Sequence, residues 1–437
     1  MKVGIIGTGF VGLSFAAALA SNGYSVLAID SNKKIVSKIG QGISPFYEPQ
    51  LSSLLRKALK KSLKVSTDIE KVVNECDLIF ITVGTPLADD GSINLNSVKE
   101  VAEKIGQTLA ASKNRPIIAI KSTVVPNTNY TIKKILEKRS NKKSGKGFGL
   151  VSNPEFLREG KAIEDTFNPH IVVIGGEDNK TINGLKKFYE GFYREKIPYI
   201  ITNPQTAEMI KYANNSFLAT KISFINQIAN ICQSVPGTNV DNIAKAIGID
   251  PRISPLFLKA GPGYGGSCLP KDLQALISFS SKVGQNPTLL KAVQKINSDQ
   301  VTNLVSFMKK ILCSLKNKRI TILGLSFKED SDDVRESVSI KLIKMLLNKG
   351  AKIIAHDPMA IKNTKAVFGN KISYSKSLSE ALENSDCAVI MTPWKQYGKL
   401  NNVDFQVMKN TLIIDTRRML TKKKLNVKYH AVGLGPV

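Results

Sequence analysis

Residues 2–30 read KVGIIGTGFVGLSFAAALASNGYSVLAID, and this stretch decides the fold of the first part of the chain. A short apolar run predicts a strand, and the glycine pattern G-x-G-x-x-G at residues 7–12 follows it directly. Helical residues continue from Phe10 to Asn22, and a second apolar run ends at Asp30. Strand, glycine turn, helix, strand and acid in this order predict a dinucleotide-binding βαβ unit.

The glycines have a chemical purpose at this turn. They permit a tight turn and let a pyrophosphate approach backbone N–H groups at a helix N-terminus. Asp30 is placed to accept hydrogen bonds from ribose hydroxyls, and it would repel a 2′-phosphate, so NAD is favoured over NADP. The predicted cofactor residues of this unit are Gly7, Gly9, Phe10, Val11, Gly12 and Asp30.

Further apolar runs follow the first unit and alternate with helical patterns, for example at residues 77–83 and 116–122. Such runs indicate a parallel sheet that is buried on both faces. From about Pro204 the pattern changes to helical spacing without a breaker before Pro236, which predicts one long helix or two.

The last third of the chain resembles a second copy of the first. RITILGLSF at residues 319–327 resembles KVGIIGTGF, and the run that ends in Asp357 resembles the run that ends in Asp30. We therefore predict an α/β chain in which two Rossmann-like, doubly wound parallel-sheet domains are joined by a helical middle domain with a long connecting helix. The predicted boundaries are 1–203 for the NAD-binding domain, 204–315 for the helical middle domain and 316–437 for the second Rossmann-like domain.

Composition excludes several other classes of protein. The 62 Lys and Arg against 35 Asp and Glu give a net charge of +27, but the lysines are dispersed and few aromatic residues interleave with them, which argues against a nucleic-acid partner. No apolar run reaches the roughly 18 residues that span a bilayer. The five cysteines are scattered, which favours a reducing cytoplasm, and no Cys/His cluster has metal-ligand spacing.

The segment GPGYGGSCLPKD at residues 261–272 is the most informative one outside the glycine turn. Its glycines let the backbone approach a ligand closely. Cys268 follows them, with Lys271 and Asp272 three and four residues further on. A cysteine near cations or a helix start has a lowered pKa and is a competent nucleophile, so we predict that Cys268 is a covalent catalyst.

Seven segments together resemble the UDP-glucose/GDP-mannose 6-dehydrogenase family, and they span nearly the whole chain in the family's order. They are GTGFVG (7–12), VGTP (83–86), KSTV (121–124), NPEFLREG (153–160), AEMIKYANN (207–215), GPGYGGSCLPKD (261–272) and FKEDSDDVRES (327–337). The resemblance implies that the middle domain, 204–315, dimerises and that the last domain, 316–437, binds the UDP part of a nucleotide sugar. It implies two successive hydride transfers from C6 of that sugar to NAD. It also implies a thiohemiacetal and then a thioester on Cys268, which water hydrolyses to the carboxylate.

The resemblance also assigns roles to single residues. Lys211 and Asn215, four residues apart on one helix face, resemble the groups that stabilise oxyanions. Asp272 resembles the partner that orders a water or a lysine, and Thr123 and Glu159 resemble residues around the nicotinamide and the hydrolytic water. Further implied NAD contacts are Thr85, Lys271 and Arg335. Implied substrate contacts are Glu155, Phe156, Leu157, Phe257, Leu258, Lys259, Gly261, Gly265 and Lys328, with Arg252 reaching the sugar of a neighbouring subunit in a homodimer.

Three positions depart from the family pattern. Asn168-Pro169-His170 stands where Pro-Asp-Arg is usual, Asn127 stands where a glycine is common, and Ile35 replaces a basic residue. In addition, Gly324 is not followed by two more spaced glycines, so the second copy should not bind a dinucleotide as the first one does.

Three alternatives to UDP-glucose oxidation stay open at this point. In the nearest alternative, the enzyme catalyses the same reaction on GDP-mannose or on a UDP-N-acetylhexosamine. A simple two-electron hydroxyacid-type dehydrogenase shares the glycine turn but needs no nucleophilic cysteine. A non-enzymatic binding protein that uses the positive charge leaves Lys211, Asn215, Cys268 and Asp272 unexplained.

Overall fold

The computed structural model describes residues 1–193, 195–420 and 425–436. Residue 437, where the predicted third domain ends, lies outside these ranges. The chain forms two compact units, residues 1–214 and residues 215–437. The middle helices and the second sheet share the latter unit, and the three-domain boundaries stay a prediction.

The first unit is built on one sheet with the strand order β3-β2-β1-β4-β5-β6-β7-β8. The strands are β1 Lys2–Ile6, β2 Ser25–Ile29, β3 Leu63–Ser66, β4 Leu78–Ile81, β5 Ile117–Ile120, β6 Gly149–Ser152, β7 Val172–Gly176 and β8 Tyr199–Thr202. Strands β1 to β6 are parallel, which confirms the predicted parallel sheet for this part. Strand β7 runs antiparallel to β6 and parallel to β8. The apolar run of β7 does not reveal this reversal, because a strand buried on both faces has the same pattern in either direction.

Helices cover both faces of this sheet. They are α1 Phe10–Ser21, α2 Lys33–Gly40, α3 Leu51–Lys61, α4 Ile69–Glu75, α5 Asn96–Ala111, α6 Thr128–Ser140, α7 Ala162–Phe167 and α8 Asn179–Phe192. Helix α1 is buried over most of its length and shares one apolar core with the sheet, and its Phe15 ring lies 5.0 Å from the Phe80 ring of β4 and 6.4 Å from the Tyr189 ring of α8. This helix ends one residue before the predicted end.

The long helix α9, Pro204–Cys232, confirms the predicted connecting helix as one continuous element. It crosses the boundary between the two units at residue 214. Three helices follow it before the second sheet: α10 Val240–Gly248, α11 Leu269–Lys282 and α12 Thr288–Leu312.

The second sheet repeats the strand order of the first, β11-β10-β9-β12-β13-β14, and all its recorded pairs are parallel. Its strands are β9 Arg319–Leu323, β10 Lys352–His356, β11 Ser373–Ser375, β12 Cys387–Ile390, β13 Leu412–Asp415 and β14 Lys428–Ala431. Its helices are α13 Val338–Asn348, α14 Ile361–Phe368, α15 Leu378–Leu382 and α16 Asn402–Phe405, with a 3-10 turn at Tyr397–Lys399. The fold class predicted from the internal resemblance is therefore confirmed.

The two sheets also share their first turn. Gly7 and Gly324 have φ angles of 100° and 102°, and a Cβ on either would lie within 3 Å of Thr82, just after β4, or of Thr392, just after β12. Only glycine tolerates this left-handed, crowded position. The two turns differ after this first glycine, because the second turn has no glycines at the spacing of Gly9 and Gly12.

Candidate active site

The dinucleotide turn lies between β1 and α1, where Gly9 is the N-cap of the helix. A Cβ on Gly12 would lie 1.9 Å from the Gly7 carbonyl oxygen, so Gly12 is required for packing. A Cβ on Gly9 would meet no atom within 4 Å, so this face of the turn is open. Among the described residues, no side chain caps α1, and its first turn contains no acid. An open glycine face at an uncapped helix N-terminus fits a pyrophosphate, as predicted for NAD.

Asp30 follows β2 and turns toward the glycine turn. Its Oδ2 accepts hydrogen bonds from the Thr8 backbone N–H (3.1 Å) and the Thr8 hydroxyl (2.7 Å), and its Oδ1 accepts one from the Asn32 N–H (2.9 Å). The carboxylate is therefore fixed beside the turn. Phe10 and Val11 are partly exposed at the start of α1, and the Phe10 ring lies 5.5 Å from Phe46.

The loops after β4 and β5 are joined by two hydroxyl groups. Thr85 donates to the Thr123 carbonyl (2.7 Å), and Ser122 donates to the Val83 carbonyl (2.7 Å). The carboxyl ends of parallel strands are where α/β sheets bind ligands. Thr85 and Thr123, both predicted near the cofactor, are thus held together at this edge.

Lys211 and Glu155 form a buried ion pair in the first unit. The Lys211 ammonium lies 3.1 Å from Glu155 Oε1 and 5.3 Å from the centre of the Phe156 ring. Glu155 Oε2 accepts from the Leu157 N–H at 2.5 Å. The structure therefore brings together four residues that the sequence predicts for the sugar site.

Glu48 is a functional candidate that the sequence reasoning missed. This glutamate is 4% exposed, and its two oxygens accept hydrogen bonds from the N–H groups of Gly160 and Ala162, both at 2.7 Å. It thereby fixes the backbone directly after Glu159. A separation of more than 100 residues explains why no local pattern indicates this contact.

Cys268 is exposed and is the N-cap residue of α11 in the second unit. Its carbonyl accepts from the Asp272 N–H (2.8 Å), and its Sγ lies 3.6 Å from the Ser267 hydroxyl. Pro270 stands in the first turn, where its missing N–H costs nothing. The positive end of a helix dipole stabilises a thiolate at such a position.

Asp272 joins the other predicted polar residues near Cys268. It is 1% exposed, and its carboxylate accepts hydrogen bonds from Asn215 Nδ2 (2.6 Å) and from the Lys271 ammonium (2.6 Å). The structure therefore connects the long helix α9 to the start of α11 through one buried carboxylate.

The glycine run before Cys268 is enclosed by backbone and amide groups. A Cβ on Gly265 would lie 2.2 Å from the Glu336 carbonyl oxygen. The Gly261 N–H donates to Asn226 Oδ1 (2.8 Å), and Gln300 Nε2 donates to the Gly261 carbonyl (3.1 Å). This loop is therefore rigid, and its glycines are required by close approach of other chain segments.

The segment before the glycine run contains left-handed residues that are not glycine. Ser254 and Phe257 both have a φ of 66°, which is strained for these side chains and common at functional sites. Leu258 is buried, while Phe257 and Lys259 are exposed. Arg252 is exposed and forms an ion pair with Asp250 (2.6 Å), so the described contacts leave its side chain at the surface.

The remaining predicted cations lie in the loop after β9. Lys328 lies over the Phe327 ring at 5.9 Å, and Arg335 forms an ion pair with Asp333 (2.6 Å). Arg417 was not predicted. Its buried guanidinium donates to the Met391 carbonyl (2.6 Å), and a Cβ on Gly261 would lie 2.9 Å from it. Burial lowers the pKa of Arg417 to about 10.

The other cysteines differ from Cys268 in their surroundings. Cys76, Cys232 and Cys387 are buried, and Cys313 is exposed at the end of α12. Burial raises the pKa of Cys76 to about 12, and burial also raises the pKa of Cys387. Among the described residues, no group of three His, Cys, Asp or Glu side chains is arranged to hold a metal. In the same ranges, no helix has the length and apolarity that a membrane crossing requires.

The fold and the glycine turn define an NAD-binding dehydrogenase with two Rossmann-like sheets. The chain belongs to the UDP-glucose/GDP-mannose dehydrogenase family: its NAD-binding model matches residues 1–193, its central model residues 205–299 and its UDP-binding model residues 321–422. These matches identify an NAD-dependent oxidoreductase with a UDP-binding domain.

Three relatives illustrate the similarity. A UDP-glucose 6-dehydrogenase of Bacillus subtilis (strain 168) is 40% identical over 99% of this chain and 98% of its own. The solved UDP-glucose dehydrogenase of Pyrobaculum islandicum has a TM-score of 0.90 and 33% identity, with 100% of this chain and 97% of that chain covered. The UDP-D-ManNAc dehydrogenase of Pyrococcus horikoshii has a TM-score of 0.86 and 26% identity over the full length of both chains.

Proposed function

We propose that the chain oxidises UDP-glucose to UDP-glucuronate at C6 in a four-electron reaction. The balance is UDP-glucose, two NAD⁺ and one water giving UDP-glucuronate, two NADH and three protons. The observation that carries the proposal is the exposed Cys268 at the start of α11, next to the buried Asp272 that binds both Asn215 and Lys271. UDP-glucose is preferred because the more similar relatives carry that name, at up to 40% identity against 26% for the UDP-D-ManNAc enzyme.

The residues of this chain have distinct tasks in the proposed reaction. NAD, when bound, accepts a hydride from C6 in each of the two oxidations. The Lys211 ammonium and the Asn215 amide stabilise the oxyanions that form at C6. The Cys268 thiolate attacks the aldehyde carbon, and the resulting thiohemiacetal stays attached until the second oxidation makes a thioester. Water then cleaves the carbon–sulfur bond, and the thiol is released.

The bound aldehyde explains why a covalent route suits this chemistry. A free aldehyde hydrates or diffuses away, whereas a covalent hemiacetal stays placed for the second hydride transfer. Asp272 holds the Asn215 amide at 2.6 Å, and Glu48 fixes the backbone after Glu159, which we assign to the hydrolytic water. Thr123, Thr85 and the glycine turn are assigned to the cofactor.

We further propose a homodimer through the central helices. Phe217, Phe224 and Ile231 recur every seventh residue on α9 and are 65%, 48% and 56% exposed. Apolar residues at this spacing form a stripe that a second copy of the helix can bury. In such a dimer the exposed Arg252 is available to the sugar of the partner subunit. A cytoplasmic location fits a nucleophilic thiol that must stay reduced.

One experiment tests substrate and mechanism together. NADH formed per sugar is measured for UDP-glucose, GDP-mannose and UDP-N-acetylglucosamine, with Cys268→Ser in parallel. We expect two NADH per UDP-glucose and loss of turnover in the serine variant. Turnover of GDP-mannose alone would show that GDP-mannose, and not UDP-glucose, is the substrate. One NADH per sugar, or an active serine variant, would refute the thioester route.

A further inference from the structure

The first turns of α9 are anchored in the first unit at two successive residues. A Cβ on Gly175 of β7 would lie 2.5 Å from Ala207 Cβ and 2.8 Å from the Asn203 carbonyl oxygen, so the helix lies directly on the strand backbone. Glu208 follows Ala207, and its side chain is 2% exposed. The proposed reaction gives this buried acid no chemical task.

The Glu208 carboxylate lies at the N-terminus of α6. Its Oε1 accepts hydrogen bonds from the Asn129 backbone N–H (2.7 Å) and the Ser152 hydroxyl (3.2 Å). Ser152 also accepts a hydrogen bond from the Asn129 side chain (3.1 Å). The N-cap residue of α6, Asn127, is left-handed with a φ of 73° and provides no side-chain cap. A carboxylate at this end accepts hydrogen bonds from N–H groups that have no partner within the helix. The positive end of the helix dipole in turn stabilises its negative charge.

The burial of Glu208 is a second indication that its role depends on the hydrogen bonds that it accepts. It raises the pKa of Glu208 to about 7, while hydrogen bonds from Asn129 and Ser152 act in the opposite direction. A buried ionisable group is costly to fold, so its position between α6, β6 and α9 needs a compensating benefit.

We propose that Glu208 is a positioning residue: as the cap of α6 it fixes both the segment that carries Thr123 and the turn of α9 that carries Lys211. The proposal rests on the proposed function insofar as Thr123 and Lys211 act there. Thr123 precedes α6 by five residues, and the Thr128 hydroxyl binds the Val125 carbonyl at 2.6 Å, so movement of the helix start shifts this segment. Lys211 lies three residues after Glu208, one turn further along the same face of α9.

The test compares Glu208→Leu, which removes the acceptor, with Glu208→Gln, whose amide oxygen still accepts from Asn129. Glu190→Leu is the matched control, because Glu190 is an exposed α8 residue that forms a surface pair with Lys186 at 3.6 Å. For each full-length variant, kcat with UDP-glucose, the Kd of ADP-ribose and the amide hydrogen exchange of residues 127–131 are measured.

We expect Glu208→Leu to lower kcat at least tenfold and to speed exchange at residues 127–131 at least tenfold. Its Kd for ADP-ribose should stay within twofold, because the glycine turn and Asp30 are held by other contacts. Glu208→Gln and Glu190→Leu should keep kcat within threefold. If Glu208→Leu does not fold, Glu208→Asp, which is too short to reach Asn129, should show the same loss of kcat.

Two results would overturn the proposal. One is a folded Glu208→Leu or Glu208→Asp variant with wild-type kcat and wild-type exchange. The other is a loss of ADP-ribose binding in proportion to kcat, which would indicate general damage. If the wild-type chain oxidises no sugar nucleotide, the proposed function fails, whereas the exchange measurement still decides whether Glu208 fixes α6.

Discussion

At the scale of single residues, the candidate site consists of polar groups, most of them buried, that hold other polar groups. Asp272 binds Asn215 and Lys271, Glu155 binds Lys211, and Asp30 binds Thr8. Such contacts restrict each functional side chain to one orientation, which catalysis by preorganised groups requires. Two predictions belong to this scale.

Asp272→Asn should lower kcat about 100-fold with little change in the KM for NAD. The substitution keeps the shape but removes the charge that orders Asn215 and Lys271, at 2.6 Å each. Steady-state NADH formation from UDP-glucose measures the effect. Asp299→Asn, which alters an exposed pair with Lys295 on α12, serves as the control and should stay within twofold. An Asp272→Asn variant with the wild-type kcat would show that Asp272 has no role in the mechanism.

Iodoacetamide should modify Cys268 and Cys313 in the folded protein but spare Cys76. The first two thiols are exposed, whereas burial raises the pKa of Cys76 to about 12. Thiolate fraction and access together set the reaction rate. Peptide mass spectrometry identifies the labelled residues. Activity should be lost in the Cys313→Ser variant as fast as in wild type, and UDP-glucose should protect Cys268. Inactivation that tracks Cys313 labelling would contradict this assignment.

At the scale of elements, the N-termini of α1 and α6 differ in what lies beside their first backbone N–H groups. The first helix leaves its N-terminal N–H groups beside open glycine, and the second one receives a carboxylate from α9. An open end suits a ligand phosphate, and a filled end suits a fixed loop. Each end yields one prediction.

Gly9→Ala and Gly12→Ala should separate ligand approach from packing. A Cβ at Gly9 meets open space, so the thermal midpoint should stay unchanged while the KM for NAD rises about tenfold. A Cβ at Gly12 would lie 1.9 Å from the Gly7 oxygen, so this variant should lose about 2 kcal/mol of stability. Thermal unfolding and NAD titration measure both effects. Equal destabilisation by the two variants would show that Gly9 also serves packing.

Glu208→Gln should make the free energy of unfolding less dependent on pH between about 4.5 and 7. The pKa of Glu208 is raised to about 7 in the folded chain from an ordinary 4.5. The stability that the protonated acid contributes is complete below pH 4.5 and is lost as pH rises through 7. Relative to the wild type, the glutamine variant should therefore gain about 3 kcal/mol of stability as the pH rises from below 4.5 to 8. Urea unfolding at pH 5 and pH 8 tests this, and parallel pH profiles for both proteins would contradict it.

At the scale of the whole molecule, the two sheets repeat one strand order, but only the first keeps the open glycine turn. In the second sheet, Asp357 is 2% exposed and its Oδ2 is engaged by the Leu325 N–H and the Trp394 indole. This acid is therefore enclosed, whereas its counterpart Asp30 is partly exposed. The difference agrees with one NAD-binding and one UDP-binding domain.

Phe224→Lys should convert the proposed dimer into a monomer. The lysine places a charge in the centre of the exposed apolar stripe on α9, and a buried unpaired charge is costly. Light scattering after size-exclusion chromatography measures the mass. Leu289→Lys, a matched change at a residue that is 64% exposed on α12, should leave the mass unchanged. A monomeric wild-type chain, or a dimeric Phe224→Lys variant, would refute the proposed interface.

The two Rossmann-like copies, the long connecting helix and the NAD turn could all be predicted from the amino-acid sequence. These features depend on short-range patterns: apolar runs, glycine spacing and the acid after β2. Asn127 is an example. It stands where the family pattern has a glycine, and its φ of 73° lies in the left-handed region that glycine adopts readily. The candidate residues were also marked locally, because Cys268 and Asp272 lie in one short segment.

The contacts between residues that are distant in sequence became visible only in the folded chain. Strand β7 runs antiparallel to β6, Glu48 binds the backbone after Glu159, Arg417 lies beside Gly261, and Glu208 caps α6. No periodicity in the sequence indicates these contacts, because each joins segments that are far apart along the chain and depends on how strands and helices are placed. The physical reason is that a hydrogen bond or a close approach is set by three-dimensional distance, whereas a sequence pattern records only neighbours.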